Sequence, residues 1–243
     1  MISLIVPIYN EEDMLNTYTK DFFPVIDDLK GPLNEIFEIL LVDDKSRDSS
    51  WDIISGFTKK RSDVIGVRHE KNRGMGGAIK TGIEKSHGSL LIILDADLTF
   101  RPEDIRILVE EYHKSPVECI SGSPYLCPGL MDDVQPWRMF LSRCVNILYR
   151  LLLGAQVTSV SPIFRLYKRE VFKDITVLSE NFEINAEILS KMIFKGMKIR
   201  EVPVALHKRQ FGLSKAQLGK SIQNHIRILF KIFSVKYLGR EWT

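Results

Sequence analysis

Cysteine is scarce in this chain: only Cys119, Cys127 and Cys144 occur in 243 residues, with no C-x-x-C pair among them. An odd number without metal-ligand spacing excludes a disulfide framework and a structural zinc site, leaving reduced thiols in an intracellular protein as the expectation. Long apolar runs are also missing. The best stretch, Leu141 to Phe164, is broken by Arg143 and Arg150, short of the roughly 18 uncharged residues a membrane span requires. Strand-like residues begin at Ile2, without the basic region and cleavage site of a signal peptide. The formal net charge is only +3, which gives no footing for nucleic acid as a partner. Internal repeats, low-complexity tracts and a dividing linker are absent as well.

What is present is an alternation of short β-rich runs with helical patterns. Ser3–Ile8, Ile36–Val42, Val64–Arg68, Leu90–Leu94 and Val117–Ser121 read as strands. Helices are expected over Glu11–Leu29 (entered through Asn10), from Ser46 to about Lys60, from the glycine cluster to about Ser86, and after Pro102. Uniformly apolar strands separated by helices predict an α/β fold around a mostly parallel sheet covered on both faces. Farther on, Val134–Leu153, Phe182–Phe194 and Ala216–Phe233 read as helices, with strands at Phe164–Tyr167 and Ile199–Val204.

Parallel sheets bind ligands beyond the carboxyl ends of their strands, and the polar residues concentrate there. Pro7, Tyr9 and Glu11 follow the first strand, and Asp43 and Asp44 the second. Asn72 to Gly77 follow the third, and Asp95 and Asp97 the fourth. On an extended segment, residues i and i+2 point the same way, so both carboxylates of Asp95-Ala96-Asp97 are expected to face one site. Two hard oxygen ligands, with diphosphate oxygens completing the shell, suit Mg²⁺ or Mn²⁺. The cluster Gly74-Met75-Gly76-Gly77 partly matches a dinucleotide fingerprint and a P-loop, but Ile79 stands where each requires glycine. A tight strand-to-helix turn remains, with backbone N–H groups available to a nucleotide.

Val6-Pro7-Ile8-Tyr9-Asn10-Glu11-Glu12, Val42-Asp43-Asp44-Lys45-Ser46, Asn72-Arg73-Gly74-Met75-Gly76 and Asp95-Ala96-Asp97 occur in an order and spacing that resemble glycosyltransferase family two. Leu141-Ser142-Arg143, the run Phe164 to Arg169, and Arg209 with Gly212, Ser214 and Lys215 resemble its polyprenyl-phosphate branch, the dolichol-phosphate mannose synthases. The resemblance covers residues 2 to about 218. It implies a GT-A fold over 1–215; the remaining 216–243 read from their own periodicity as an amphipathic helix and tail. By the same resemblance Pro7, Tyr9, Glu11 and Asp43 line the nucleoside pocket, Asp95 faces ribose and metal, and Asp97 ligates the metal. Arg143, Arg209 and Lys215 gather the donor diphosphate and the acceptor phosphate. The family's usual glutamine two positions past the second aspartate is Thr99 here, which offers the metal one hydroxyl. Lys45 replaces a small residue, and the S-G-F-R element reads Ser161-Pro162-Ile163-Phe164-Arg165.

The implied reaction moves a hexose, mannose from GDP-mannose first and glucose from UDP-glucose second, to a polyprenyl phosphate. A phosphate monoester, with a second pKa of about 6, is already a nucleophilic anion and needs cations rather than a base. A hydroxyl acceptor needs a carboxylate base, and Glu183 and Glu187 keep that alternative open, as Thr99 keeps open a non-catalytic nucleotide-sugar-binding subunit. A lipid acceptor implies access to a membrane surface. Leu218, Ile222, Ile226, Leu229 and Phe233 form one apolar stripe, with Lys220, Arg227 and Lys231 on the other side. Peripheral attachment to the cytoplasmic face of a membrane, directly or through a small membrane subunit, is the expectation.

Overall fold

The computed structural model describes residues 1–131, 136–209, 211 and 218–242. In chain order the elements are β1 (Ile2–Ile8), α1 (Glu12–Leu15), α2 (Tyr18–Asp21), α3 (Phe23–Leu33), β2 (Phe37–Asp43), α4 (Ser50–Lys60), β3 (Val64–Arg68), α5 (Gly74–Lys85) and β4 (Leu90–Ile93). A 3-10 turn over Pro102–Asp104 leads into α6 (Ile105–Lys114). Then follow β5 (Cys119–Ser123), α7 (Pro136–Leu153), β6 (Arg165–Lys168), α8 (Val171–Asp174), α9 (Ile184–Phe194), β7 (Ile199–Pro203) and α10 (Leu218–Leu238).

The seven strands form one sheet in the order β3-β2-β1-β4-β6-β5-β7. Among the described strands only β6 runs against the others: it pairs antiparallel with β4 and β5, while the other strand pairings are parallel. β1 and β2 are buried along their whole length. Their side chains alternate between two cores, as a pleated strand covered on both faces requires. Leu4, Val6, Ile39 and Leu41 join the core beneath α1–α4 and α6, whereas Ile5, Leu40, Leu91 and Ile93 meet Ile79 of α5 and Ile184 and Ile188 of α9. A third core, around Tyr149, Leu153, Leu189, Ile228 and Ile232, binds α7, α9 and α10 together.

The strand expectations hold within one or two residues; two helix caps do not. The helix expected over Glu11–Leu29 is three helices, and Asn10 does not cap it. Asn10 takes a left-handed backbone (φ 53°), which asparagine tolerates, and its side chain accepts the Arg47 N–H at 2.7 Å. Ser46 likewise lies four residues before α4: its hydroxyl accepts the Asn10 N–H at 2.9 Å. Both side chains serve the junction of two loops rather than a helix end. That junction is tightened by Glu11 N–H to Ser50 Oγ (2.9 Å) and Ser49 N–H to Glu12 Oε2 (2.8 Å).

Candidate functional site

Beyond the carboxyl ends of β1, β2 and β4 lies a cleft of about 750 Å³, lined by Pro7, Tyr9, Glu11, Asp44, Asp95, Asp97 and Arg209 among others. The sheet builds its floor. β1 delivers Pro7 to Glu11, and the segment after β4 delivers the two aspartates. That segment is a turn rather than an extended strand. Leu98 N–H returns to the Asp95 carbonyl at 3.3 Å, and Leu98 has a left-handed φ of 52°. Asp95 and Asp97 therefore reach one cleft because the chain folds back, and the expected i, i+2 alternation is not the cause.

Three contacts hold the turn. The Tyr18 hydroxyl donates to the Ala96 carbonyl at 2.9 Å from the core beneath. The Thr99 N–H donates to Asp97 Oδ1 at 3.0 Å, and the Thr99 carbonyl accepts the His207 N–H at 2.8 Å. Thr99 thus meets Asp97 through its backbone, and its side chain is not among those lining the cleft. Tyr18 carries no motif; its position inside a helix expected to be continuous hid it from sequence reading. Burial, with Asp97, Glu11 and Asp95 nearby, raises its phenol well above the ordinary range, keeping it a neutral donor.

The second aspartate pair divides its labour differently from the sequence expectation. Asp43, expected at the nucleoside, is sealed under the cleft, where it accepts the Ser46 N–H at 3.1 Å and meets Arg68 Nε at 3.1 Å. Asp43 is the last residue of β2 and follows its alternation into the interior; Asp44 lies one position on, and it lines the cleft. Asp44 Oδ1 accepts the Arg73 N–H and faces His69 Nδ1, both at 2.7 Å, while His69 Nε2 meets the Thr81 hydroxyl at 2.9 Å. This buried chain ties β2, β3 and α5 into one wall. Between the aspartate pair and Ser46, Lys45 sits in a left-handed conformation (φ 62°), the reason a small residue would be easier there.

Gly74 and Gly76 bring the opposite wall close. A Cβ on Gly76 would lie 2.6 Å from the Ser179 carbonyl oxygen, and the Gly76 N–H donates to the Glu180 carbonyl at 2.7 Å. The Arg73 N–H goes to Asp44, and that of Gly74 to Asn72 Oδ1. These N–H groups serve packing, so the glycines act by permitting close approach of the 179–183 segment. Asn181, Phe182 and Glu183 then line the cleft, joined by Asn224 of α10, whose amide donates to Glu183 Oε2 at 2.9 Å. Asn224 was missed because its sequence neighbours signal only an amphipathic helix.

Of the two glutamates weighed as bases, Glu187 is buried and fully engaged. It pairs with Lys191 at 2.8 Å and accepts N–H groups from Leu178 and Ser179. These contacts outweigh the cost of burial and hold its carboxyl below the ordinary range. Glu183 alone of the two reaches the cleft.

The expected cations are not gathered together. Arg209 reaches the aspartates: Nη2 lies 2.5 Å from Asp97 Oδ2, and Nη1 lies 3.6 Å from Glu11 Oε1. Arg143 is exposed on α7 and is not among the lining residues. Lys215, Gly212 and Ser214 lie outside the described residues. A different arginine proves structural. Arg165 is fully buried, and it donates to the Val160 and Asn185 carbonyls at 2.9 and 2.8 Å and to Ser121 Oγ at 3.0 Å. A buried guanidinium satisfied mainly by carbonyls fixes the loop that carries Ser161 to the cleft.

Among the described lining residues there are five carboxylates (Glu11, Asp44, Asp95, Asp97, Glu183) and one guanidinium, that of Arg209. Burial and the neighbouring Asp97 push the Asp95 carboxyl well above the ordinary range, against the pull of Arg209. No cluster of three or more His, Cys, Asp or Glu able to hold a metal occurs among the described residues. Two carboxylates on a turn nonetheless fit a hard divalent ion whose remaining ligands come from a diphosphate and water. The excess of negative charge is what such an ion would relieve.

The profile of Glycosyl transferase family 2 matches residues 3–176. A dolichol-phosphate mannosyltransferase of Pyrococcus furiosus is 29% identical over 233 residues, covering 95% of this chain and 63% of its own length. An undecaprenyl-phosphate 4-deoxy-4-formamido-L-arabinose transferase of Pseudomonas paraeruginosa is 30% identical over 184 residues, 74% of this chain and 50% of its own. The chain therefore spans less than two thirds of either relative. In fold it is similar to glucosyl-3-phosphoglycerate synthase of Mycobacterium tuberculosis, solved with Mn²⁺, UDP and glucosyl-3-phosphoglycerate. The TM-score is 0.67 at 16% identity, with 96% of this chain and 78% of that one covered.

Proposed function

Since the chain belongs to glycosyl transferase family 2, we propose that it transfers a hexose, mannose from GDP-mannose first among candidates, to a polyprenyl or dolichyl phosphate with inversion at the anomeric carbon. The observation that carries this reading is the cleft itself: paired aspartates at the end of β4 face Pro7, Tyr9, Glu11 and Asp44 across the carboxyl ends of β1 and β2. Two relatives named for transfer to lipid phosphates support the acceptor. Pro7, Tyr9 and Asp44 enclose the nucleoside, with Asp43 holding the Ser46 N–H beneath them. Asp95 and Asp97 would hold Mg²⁺ or Mn²⁺, with Thr99 beside them, and the ion would neutralise charge on the departing diphosphate. Arg209 and Lys215, with Arg143 at the approach, bind the acceptor phosphate. As that phosphate is already ionised, no residue has to remove a proton from it, which agrees with the engagement of Glu187 elsewhere.

The acceptor's lipid tail calls for a membrane surface. Among the described residues no helix is long and apolar enough to cross a membrane. α10 packs inward through Ile228 and Ile232 and leaves Ile226, Phe230 and Phe233 of its outer face exposed. α7 adds exposed Phe140, Ile147 and Leu151. This apolar face supports peripheral docking on the cytoplasmic leaflet or on a small membrane subunit.

The test is a panel of GDP- and UDP-sugars with Mn²⁺ or Mg²⁺, a polyprenyl phosphate and detergent, read as release of nucleoside diphosphate. Turnover with GDP-mannose is expected to exceed that with UDP-glucose; the opposite order would reassign the donor. Failure of every donor would defeat the reading.

A further inference from the structure

One contact in the cleft conflicts with the simplest version of that mechanism. Arg209, needed for a phosphate, is already bound to Asp97, needed for a metal. Building on the proposed assignment of Asp95 and Asp97 to the metal, we propose that Arg209 is an exchangeable cation. In the donor-free protein it neutralises Asp97 and Glu11. It yields that place when a nucleoside diphosphate brings a divalent ion, and the released guanidinium then receives the acceptor phosphate.

The geometry makes the two occupants competitors. Nη2 lies 2.5 Å from Asp97 Oδ2 and Nη1 lies 3.6 Å from Glu11 Oε1. A Mg²⁺ ion bonds oxygen at about 2.0–2.1 Å and carries two positive charges, so an ion and a guanidinium on the same carboxylate repel each other and each weakens the other's hold. Ligand supply sets the order of events. The described residues include no cluster of three or more metal-ligating side chains, and two carboxylates are too few to strip water from a hard cation unaided. The diphosphate oxygens complete the shell, so the ion binds with the donor. Until then the cleft has five carboxylates, and Arg209 is the sole cationic residue among its described lining.

The exchange requires only side-chain motion. The backbone leading to Arg209 is anchored to the aspartate turn by the His207 N–H to Thr99 carbonyl bond (2.8 Å) and to the 130 region by the Leu206 N–H to Leu130 carbonyl bond (2.7 Å). Arginine has four side-chain torsions between that anchor and its guanidinium. Its fork suits a carboxylate and a phosphate equally well. An acceptor that arrives early therefore meets an arginine already engaged, and donor binding precedes acceptor binding.

The test uses the full chain and Mn²⁺, followed by loss of the electron-paramagnetic-resonance signal of the free ion. For the wild type, Mn²⁺ alone is expected to bind at least about tenfold more weakly than Mn²⁺ with GDP or UDP. Arg209→Gln should bind Mn²⁺ alone about tenfold more tightly than wild type, the size expected for loss of one competing ion pair. Arg209→Lys, which keeps the charge, should stay near wild type. Equal Mn²⁺ affinity in wild type and Arg209→Gln, or an equal gain in both variants, would overturn the exchange. A second measurement uses wild type only: a short-chain isoprenyl phosphate should bind in the presence of Mn²⁺ and GDP and not in their absence. Binding of equal strength in both conditions would also overturn it. Absence of Mn²⁺ binding even with GDP or UDP would instead defeat the metal assignment beneath the proposal.

Discussion

In the N-terminal part of the sheet, β1, β2 and β4 run side by side in parallel, and a residue one or two positions past each strand reaches the cleft. In the C-terminal part, β6 runs backwards between β4 and β5, and the cleft is reached by loops and helices that start far apart. Glu183 comes from the segment before α9, Asn224 from α10, and Arg209 from the chain after β7. The difference is one of how position is encoded. A strand end delivers the segment that follows it to the cleft, so the carboxylate-bearing segments there can be located from sequence even where the individual residue cannot. A helix or loop places a cation only through what it packs against, so three arginines of the C-terminal part have three different fates. Arg143 is exposed, Arg165 is buried in structure, and Arg209 enters the site.

Substitutions that separate chemistry from scaffold test this contrast most strongly. Asp97→Ala should reduce nucleoside diphosphate release by more than about a hundredfold, with a smaller change in thermal midpoint than Arg165→Met, because Asp97 is buried on the cleft floor among like charges whose repulsion its removal relieves. A large loss of stability instead would make the N-terminal aspartates structural and erase the contrast. Arg165→Met should do the reverse. It leaves the Val160 and Asn185 carbonyls without their donor, and a cost of about 3 kcal/mol is expected in urea unfolding. Glu187→Gln comes next. It leaves Lys191 without its carboxylate in a buried setting, which should cost about 2–3 kcal/mol, while turnover stays within a few-fold of wild type. Abolished turnover in a folded Glu187→Gln protein would restore a base and a hydroxyl acceptor.

The smallest effect belongs to the surface cluster Asp27, Arg61, Asp63 and Lys30, far from either part of the site. Arg61 and Lys30 lower the Asp27 carboxyl from 3.8 to about 2. A carboxyl depressed in the folded state contributes stability that is complete above its unfolded value and is lost as pH falls through the folded one. The window is therefore about pH 4 down to pH 2. Asp27 is 43% exposed in these ion pairs, so screening limits the contribution to less than about 1 kcal/mol. Wild type and Asp27→Asn should converge in stability at the acid end of a pH series.

Much of the fold was legible because strands covered on both faces must be apolar throughout, and those runs are short and bounded. Helix starts were less legible: Asn10 and Ser46 look like caps, yet each is used by the other's loop. Loop-to-loop bonding carries no periodic signal. The same limit hid Tyr18 and Asn224, which act through a carbonyl and a carboxylate 78 and 41 residues away in the chain.

The sequence by itself determined the order of strands and helices, the family, and the concentration of carboxylates at the strand ends. All three follow from local pattern and spacing. Tertiary structure decided that Asp44 rather than Asp43 faces the cleft, that Asp95 and Asp97 meet on a turn, and that the glycines admit the 179–183 wall. It also decided that Arg209, alone among the described arginines, pairs with Asp97. These outcomes depend on close approach between segments distant in the chain, where a hydrogen bond or a missing Cβ selects one arrangement among many with the same local pattern.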